Sequence, residues 1–352
     1  MAALNPLTRL SSGLLKHSAF LMGLPTTGTK AELDHAIRTR LSRGSERFKG
    51  GRIVSVDMGI RNLAYCVLDV PLADDRRQDS DLCSSDRPME LTQWSKRDLL
   101  LPTREKRNDP GGAGQEGKPT GTVDATTRGR QRKPAVKTVV SSAAFTPYML
   151  SKTAYEVVKD LLRHKPDAIL IERQRFRSGG QAAIQEWTVR VNMLESMLWA
   201  CLHTLQERND TRLGAFPTVH AVSPATVAKF WAARDNVALE PQAQHYDGSS
   251  EGSRSLPSIG MPRQKVDKKD KVAVVRSWVN SGGYALPLQF VGDAAQTAAI
   301  FQEKLDGKTR KRAIEGGPAF DKLDDLADCL LQAVAWVKWD ENTWKIGRLL
   351  QQ

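Results

Sequence analysis

The sequence predicts an α/β fold, a sheet flanked by helices on both faces, and three observations carry that expectation. Ile53-Val54-Ser55-Val56 and Asp167-Ala168-Ile169-Leu170-Ile171 are short, largely apolar runs that read as strands. Apolar residues at helical spacing fill Pro147–Leu162, a stretch from about Gly180 to Gln206, Lys268–Val279 and Phe320–Lys338. The order is hairpin, strand, helix, strand, helix, strand, helix, helix, which layers helices against one sheet.

The first element is a helical hairpin over residues 7–43. Leu10, Leu14, Leu15 and Phe20–Leu21 give the first helix, and Gly23-Leu24-Pro25 stops it. Thr29-Lys30-Ala31-Glu32 has the spacing of a capping box, with Thr29 as N-cap and Glu32 reaching back to its amide. Leu33, Ile37 and Leu41 stripe the second helix. A short basic linker, Arg43–Gly51, precedes a strand at Arg52–Val56. Leu63–Val70 returns after a turn near Gly59 as a β-hairpin, and Met89–Trp94 is a possible third strand. Residues 101–137 are rich in Gly, Lys, Arg, Thr and Pro and read as a flexible insertion; residues 240–262 are loop-like too. Val219–Val222 is a further short strand, with a helix starting at Ser223-Pro224.

Composition bounds the function. The chain of 352 residues carries a formal net charge of +12, a balance that favours a polyanionic partner. No run approaches the roughly 18 apolar residues that span a bilayer, so a soluble protein without a membrane partner is expected. Cys66, Cys83, Cys201 and Cys329 lack CxxC spacing and read as buried free thiols. The six histidines are scattered, with no metal-binding spacing. Met1–Phe20 has no acidic residue and carries Arg9, Lys16 and several serines, a weak mitochondrial presequence pattern overlapping the first helix.

Carboxylates supply the chemistry. Asp57 ends one apolar strand and Glu172 another, and neither position is explained by packing. In α/β sheets, ligands collect at the carboxyl ends of strands. Gly59 beside Asp57 either admits a ligand or bends the strand. Asp325 and Asp328 stand three apart in Asp324-Asp325-Leu326-Ala327-Asp328 and share a helix face, where like charges are unfavourable unless a cation neutralises them. Oxygen-only ligands suit Mg²⁺, with Mn²⁺ able to substitute. Four carboxylates can hold two such ions about 4 Å apart for in-line attack on phosphorus. Asp324 competes with Asp325 for the third place.

Two resemblances follow from these residues. Leu24-Pro25-Thr26-Thr27-Gly28-Thr29-Lys30-Ala31-Glu32-Leu33 resembles the SAP module, a DNA-binding helix–loop–helix unit, and implies a separate domain over residues 1–45. Gly28, Thr29 and Lys30 at a helix start would then meet phosphate. Asp57-Met58-Gly59-Ile60-Arg61-Asn62-Leu63-Ala64-Tyr65, Ile171-Glu172-Arg173-Gln174-Arg175 and Asp325-Leu326-Ala327-Asp328 resemble the fungal mitochondrial Holliday-junction resolvases, relatives of the RuvC-type enzymes.

The second resemblance implies an RNase H-like mixed five-stranded sheet over residues 51–345, with the stretches near 101–137 and 240–262 as insertions. It implies a mitochondrial (matrix) homodimer that nicks four-way junction DNA symmetrically with Mg²⁺ and no small-molecule cofactor. Asp57, Glu172, Asp325 and Asp328 would be the metal ligands. A lysine before the penultimate helix would approach the scissile phosphate: Lys269 first, then Lys268. Arg61, Arg173, Gln174, Arg175, Arg177, Lys229, Lys268 and Lys271 would contact DNA. The long helix carrying Trp187, Val191, Leu194, Met197, Leu198 and Trp199 has more apolar surface than one core needs, and is the expected dimer interface. The competing functions are an RNase H-like nuclease on RNA–DNA hybrids and a non-catalytic DNA-binding protein.

Overall fold

The computed structural model describes residues 10–42, 48–72, 87–100, 145–175, 184–208, 215–232, 267–281, 286–307 and 322–350. The insertions at 101–137 and 240–262, Cys83 and Arg177 lie outside these residues.

Six strands are described: β1 (Gly51–Asp57), β2 (Leu63–Val70), β3 (Met89–Arg97), β4 (Ala168–Glu172), β5 (Thr218–Val222) and β6 (Leu288–Phe290). They form one mixed sheet in the order β5-β4-β1-β2-β3-β6. β1, β2 and β3 are antiparallel neighbours, whereas β4 and β5 run parallel to β1. The five expected strands are therefore present, but the expected number is corrected to six. The added edge strand β6 is three residues long and parallel to β3, too short for a periodicity to announce it.

Eight helices are described: α1 (Ser12–Leu21), α2 (Lys30–Ser42), α3 (Pro147–Arg163), α4 (Glu186–Glu207), α5 (Pro224–Ala232), α6 (Lys268–Ser281), α7 (Asp293–Leu305) and α8 (Asp324–Leu349). α7 was not expected, although Ala294, Thr297, Ala298 and Phe301 carry a helical apolar spacing and are buried.

The central strands bury both faces, and their alternation sorts the core into two layers. Val54 and Val56 of β1, with Ile169 and Ile171 of β4, pack against α3 and α4. Ile53, Ala168 and Leu170 face the opposite layer, where α8 is the central helix. From Cys329 to Val337 every residue of α8 is buried, as a helix stretch covered by both a sheet and other helices must be. β3 carries a bulge between its Leu91 and Gln93 pairings. That extra residue puts Leu91 and Trp94, three apart, in the same core.

The N-terminal hairpin is docked on this body. Leu15, Ala19, Phe20, Leu21, Met22, Leu33 and Ile37 belong to one apolar cluster with α5 and α8. Phe20 packs on Phe230, and Asn342 Nδ2 donates to Leu21 O at 2.9 Å. Gly23 (φ 70°) is required here: a Cβ would lie 2.3 Å from the Trp339 ring. Thr29 and Glu32 form the expected capping box, with Thr29 N donating to Glu32 Oε2 (2.7 Å) and Glu32 N to Thr29 Oγ1 (3.3 Å).

Candidate active site

Two rows of side chains cross the sheet beneath α8. Cα pairing sets Ser55 opposite Cys66 and Cys66 opposite Trp94. These three fasten the helix. Ser55 Oγ donates to Cys329 O (2.8 Å), Cys66 Sγ to the same carbonyl (3.4 Å), and Trp94 Nε1 to Leu326 O (2.8 Å). The next row, two residues along, is Asp57, Ala64 and Lys96. It sits at the N-terminal turns of α8, the turns that carry Asp325 and Asp328. A polar row thus fixes the helix and a charged row meets its acidic end.

Gln332 adds a third tie. Its Nε2 lies 3.1 Å from Ser55 Oγ and 3.3 Å from both Val56 O and Leu170 O. Those carbonyls belong to the two strands that end in Asp57 and Glu172. One buried amide therefore registers α8 against both carboxylate-bearing strands.

Asp57, Glu172 and Asp328 share a pocket with Lys271, Gln332, Pro224 and Val227. Asp57 is 9% exposed. Burial pushes its carboxyl well above the usual carboxylate range; a hydrogen bond with Glu172, and the charges of Glu172, Asp328 and Asp325, push the same way. Glu172 is held by Gln174 Nε2 at 3.0 Å and by Met58 N at 3.4 Å. Gln174 N in turn donates to Glu195 Oε2 on α4 at 3.1 Å. Burial raises Asp328 too, and the adjacent Lys271 ammonium (2.8 Å) offsets part of that rise.

The remaining expected residues are distributed unevenly. Asp325 pairs with Lys96 at 2.6 Å, and Asp324 pairs with Lys268. Lys269, the expected phosphate-facing lysine, is exposed and does not line the pocket. Lys271, expected only as a DNA contact, lines it instead, because helical phase carries residue 271 back to the Lys268 face while residue 269 turns away. Arg61, Arg173, Arg175 and Lys229 are exposed. Gly28, Thr29 and Lys30 are exposed as well, but the Glu32 carboxylate already occupies the helix start that phosphate would approach. Gly59 closes the β1–β2 turn: a Cβ there would lie 3.0 Å from Asn62 O. Of the expected interface set, Val191, Leu194 and Leu198 are buried in this chain's own core; Trp187 is exposed.

Lys96, Gln332 and Glu195 were not anticipated. Lys96 had a signal, since it interrupts the core-facing positions of β3 immediately after Trp94.

The site's donor chemistry fits a hard cation. Two carboxyls within hydrogen-bonding reach require a shared proton or a cation between them, and Asp328 faces the same pocket. Among the described residues no three Asp, Glu, His or Cys side chains stand as a preassembled cage. Asp328 would have to turn from Lys271 to complete one.

Strand order, strand direction and acids at the ends of the two central strands define an RNase H-like α/β protein. The sequence model of the family described as mitochondrial resolvase Ydc2 / RNA splicing MRS1 matches residues 53–346, and the chain belongs to that family. Cruciform cutting endonuclease 1, mitochondrial, from Schizosaccharomyces pombe is 30% identical over 219 residues, 62% of this chain. That alignment spans 65% of the relative, slightly under two thirds of its length. The crystal structure of the yeast mitochondrial Holliday junction resolvase Ydc2 superposes with a TM-score of 0.54 at 23% identity, covering 97% of this chain and 98% of the other. The likeness is one of fold.

Proposed function

We propose that this chain is a structure-selective DNA endonuclease that resolves four-way junctions by paired nicks, using Mg²⁺ or, in its place, Mn²⁺. The observation that carries the reading is the buried Asp57 carboxyl sharing one pocket with Glu172 and Asp328, in a chain of a family that includes resolvases. The name of the fission-yeast relative, a mitochondrial cruciform cutting endonuclease, supports a cruciform substrate and a mitochondrial location; the matrix is the compartment proposed within it.

Asp57, Glu172 and Asp328 would hold the ion. When bound, it supplies an activated water and charge neutralisation at phosphorus. Gln174 keeps one Glu172 oxygen fixed, so the carboxylate presents a defined orientation. Lys271, which pairs with Asp328 and lines the same pocket, would be placed to meet a phosphate oxygen. Arg173 and Arg175 follow Glu172 on an exposed segment, where guanidinium groups would position the backbone phosphates. Arg61 and Lys229, both exposed, would extend that track, and Gly28, Thr29 and Lys30 would add a second DNA contact if Glu32 gives way to phosphate.

A homodimer suits a substrate with two-fold symmetry and two cuts. Ile184, Trp187 and Val189 near the start of α4, with Tyr148, Met149 and Tyr155 of α3, leave large apolar side chains exposed and are the proposed contact. Light scattering at assay concentration should give twice the chain mass.

A second reading is favoured by the family's own description, which joins resolvases to an RNA splicing protein: nucleic-acid binding without cleavage. Four-way junction, RNA–DNA hybrid and plain duplex, each incubated with Mg²⁺, separate the possibilities. Symmetric junction nicks are expected. RNA-strand cleavage of the hybrid, or binding with no cuts, would overturn the resolvase reading.

A further inference from the structure

We propose that Lys96 is the resident cation of Asp325 and thereby limits the acidic site to one tightly held divalent ion, bound by Asp57, Glu172 and Asp328. The proposal rests on the metal reading above and adds a specificity determinant that the carboxylates alone do not reveal.

The sheet register makes the arrangement. Lys96 of β3 stands opposite Ala64 of β2, which stands opposite Asp57 of β1. Residues directly opposite one another share a face, so Lys96 and Asp57 flank one small side chain on the face that α8 covers. Ala64 is fully buried and fills little of that space. Lys96 is 3% exposed, and its Nζ donates to Asp325 Oδ2 (2.6 Å) and Lys322 O (3.4 Å).

An ammonium this well buried is costly to hold and is retained only with a close anion. The anion is Asp325, itself a neighbour of Asp57 and three residues from Asp328 on the same helix. In an all-carboxylate cluster, a second divalent ion would neutralise Asp325. Here a side chain of the protein does so, from a strand that carries none of the other acids. The lysine on Asp328 differs: the Lys271 side chain is 19% exposed against 4% for Lys96, and it lines the open pocket. One lysine can leave toward a phosphate, and the other is packed in place.

Calorimetric titration of the full chain with Mn²⁺, checked by the electron paramagnetic resonance signal of unbound Mn²⁺, tests this without any cleavage. The wild type should take one tight ion per chain, and Lys96→Met should take two. Because Asp325→Asn alone would leave the buried Lys96 ammonium unpaired, the neutral pair Lys96→Met/Asp325→Asn is the informative variant: it should keep one ion within about threefold of the wild-type affinity, whereas loss of an essential support costs roughly 10–100-fold.

Two comparable ions in the wild type, or a loss of about tenfold or more in that double variant, would overturn the proposal and leave the metal reading standing. If Lys96→Met does not fold, the neutral pair Lys96→Met/Asp325→Asn decides. One ion at near wild-type affinity supports the proposal, and a loss of about tenfold overturns it. Absence of Mn²⁺ binding in the wild type would overturn the metal reading and this proposal together.

Discussion

At its N-terminal end α8 carries Asp324, Asp325 and Asp328 into a setting of lysines and buried carboxylates, whereas its C-terminal half, from Trp336 to Ile346, is wrapped by the hairpin and by Phe48 and Phe230. The first end is poor in stabilising contacts for what it buries. Asp57 is desolvated beside three other acids, and the Lys96–Asp325 pair gains in Coulomb energy roughly what it loses in hydration. The second end is rings and aliphatic side chains, where burial stabilises at about 25 cal/mol per Å² of apolar surface. One helix therefore spends stability at one end and recovers it at the other. The hairpin belongs to the second end, so it is part of the scaffold that holds the acids, whatever it adds to DNA binding.

That contrast can be broken from either side. The largest effect is expected from deleting residues 1–42. The sequence alone suggests a separable module whose loss would spare catalysis. With Phe20, Leu33 and Ile37 gone, Trp339, Phe230 and Ile346 would face water, so the truncated chain should aggregate or lose its cooperative melt. A truncated protein with an unchanged melting curve would show that the hairpin contributes nothing to the core. Trp339→Ala is next, at about 3–5 kcal/mol in denaturant unfolding. Its cleavage rate per folded molecule should stay near wild type.

A smaller effect concerns pH. The folded protein holds the Asp57 proton to higher pH than the unfolded chain does. Its contribution to stability is therefore present below the ordinary carboxylate range and is lost as pH rises through the raised folded value. Metal-free wild type should lose melting temperature relative to Asp57→Asn as pH rises through that window. A constant difference between the two would contradict the buried carboxyl pair. The smallest effect is Thr29→Ala, about 1 kcal/mol through loss of the N-cap. Urea titration would read it, and a cost of nil would mean the capping box does not hold α2.

Much of this was legible beforehand, for physical reasons that can be named. Strands buried on both faces have to be apolar, so β1 and β4 announced themselves, and a carboxylate ending each run stood out against them. The Thr29–Glu32 box was legible because capping is local. What escaped depended on distant parts of the chain. Asp325 looks equivalent to Asp328 until Lys96, 229 positions away in sequence, is brought beside it. Lys269 and Lys271 differ only in helical phase relative to a pocket that the sequence does not display. Separability of the hairpin could not be judged either, since its apolar stripe reads the same whether the partner is the other helix or α8.

The carboxylate site is tested most directly by Asp57→Asn on a four-way junction with Mg²⁺, binding and cutting followed in one titration. Junction affinity should stay close to wild type, since phosphate contacts come from Arg and Lys, with symmetric nicking reduced below detection. Nicking near the wild-type rate by that variant would contradict it.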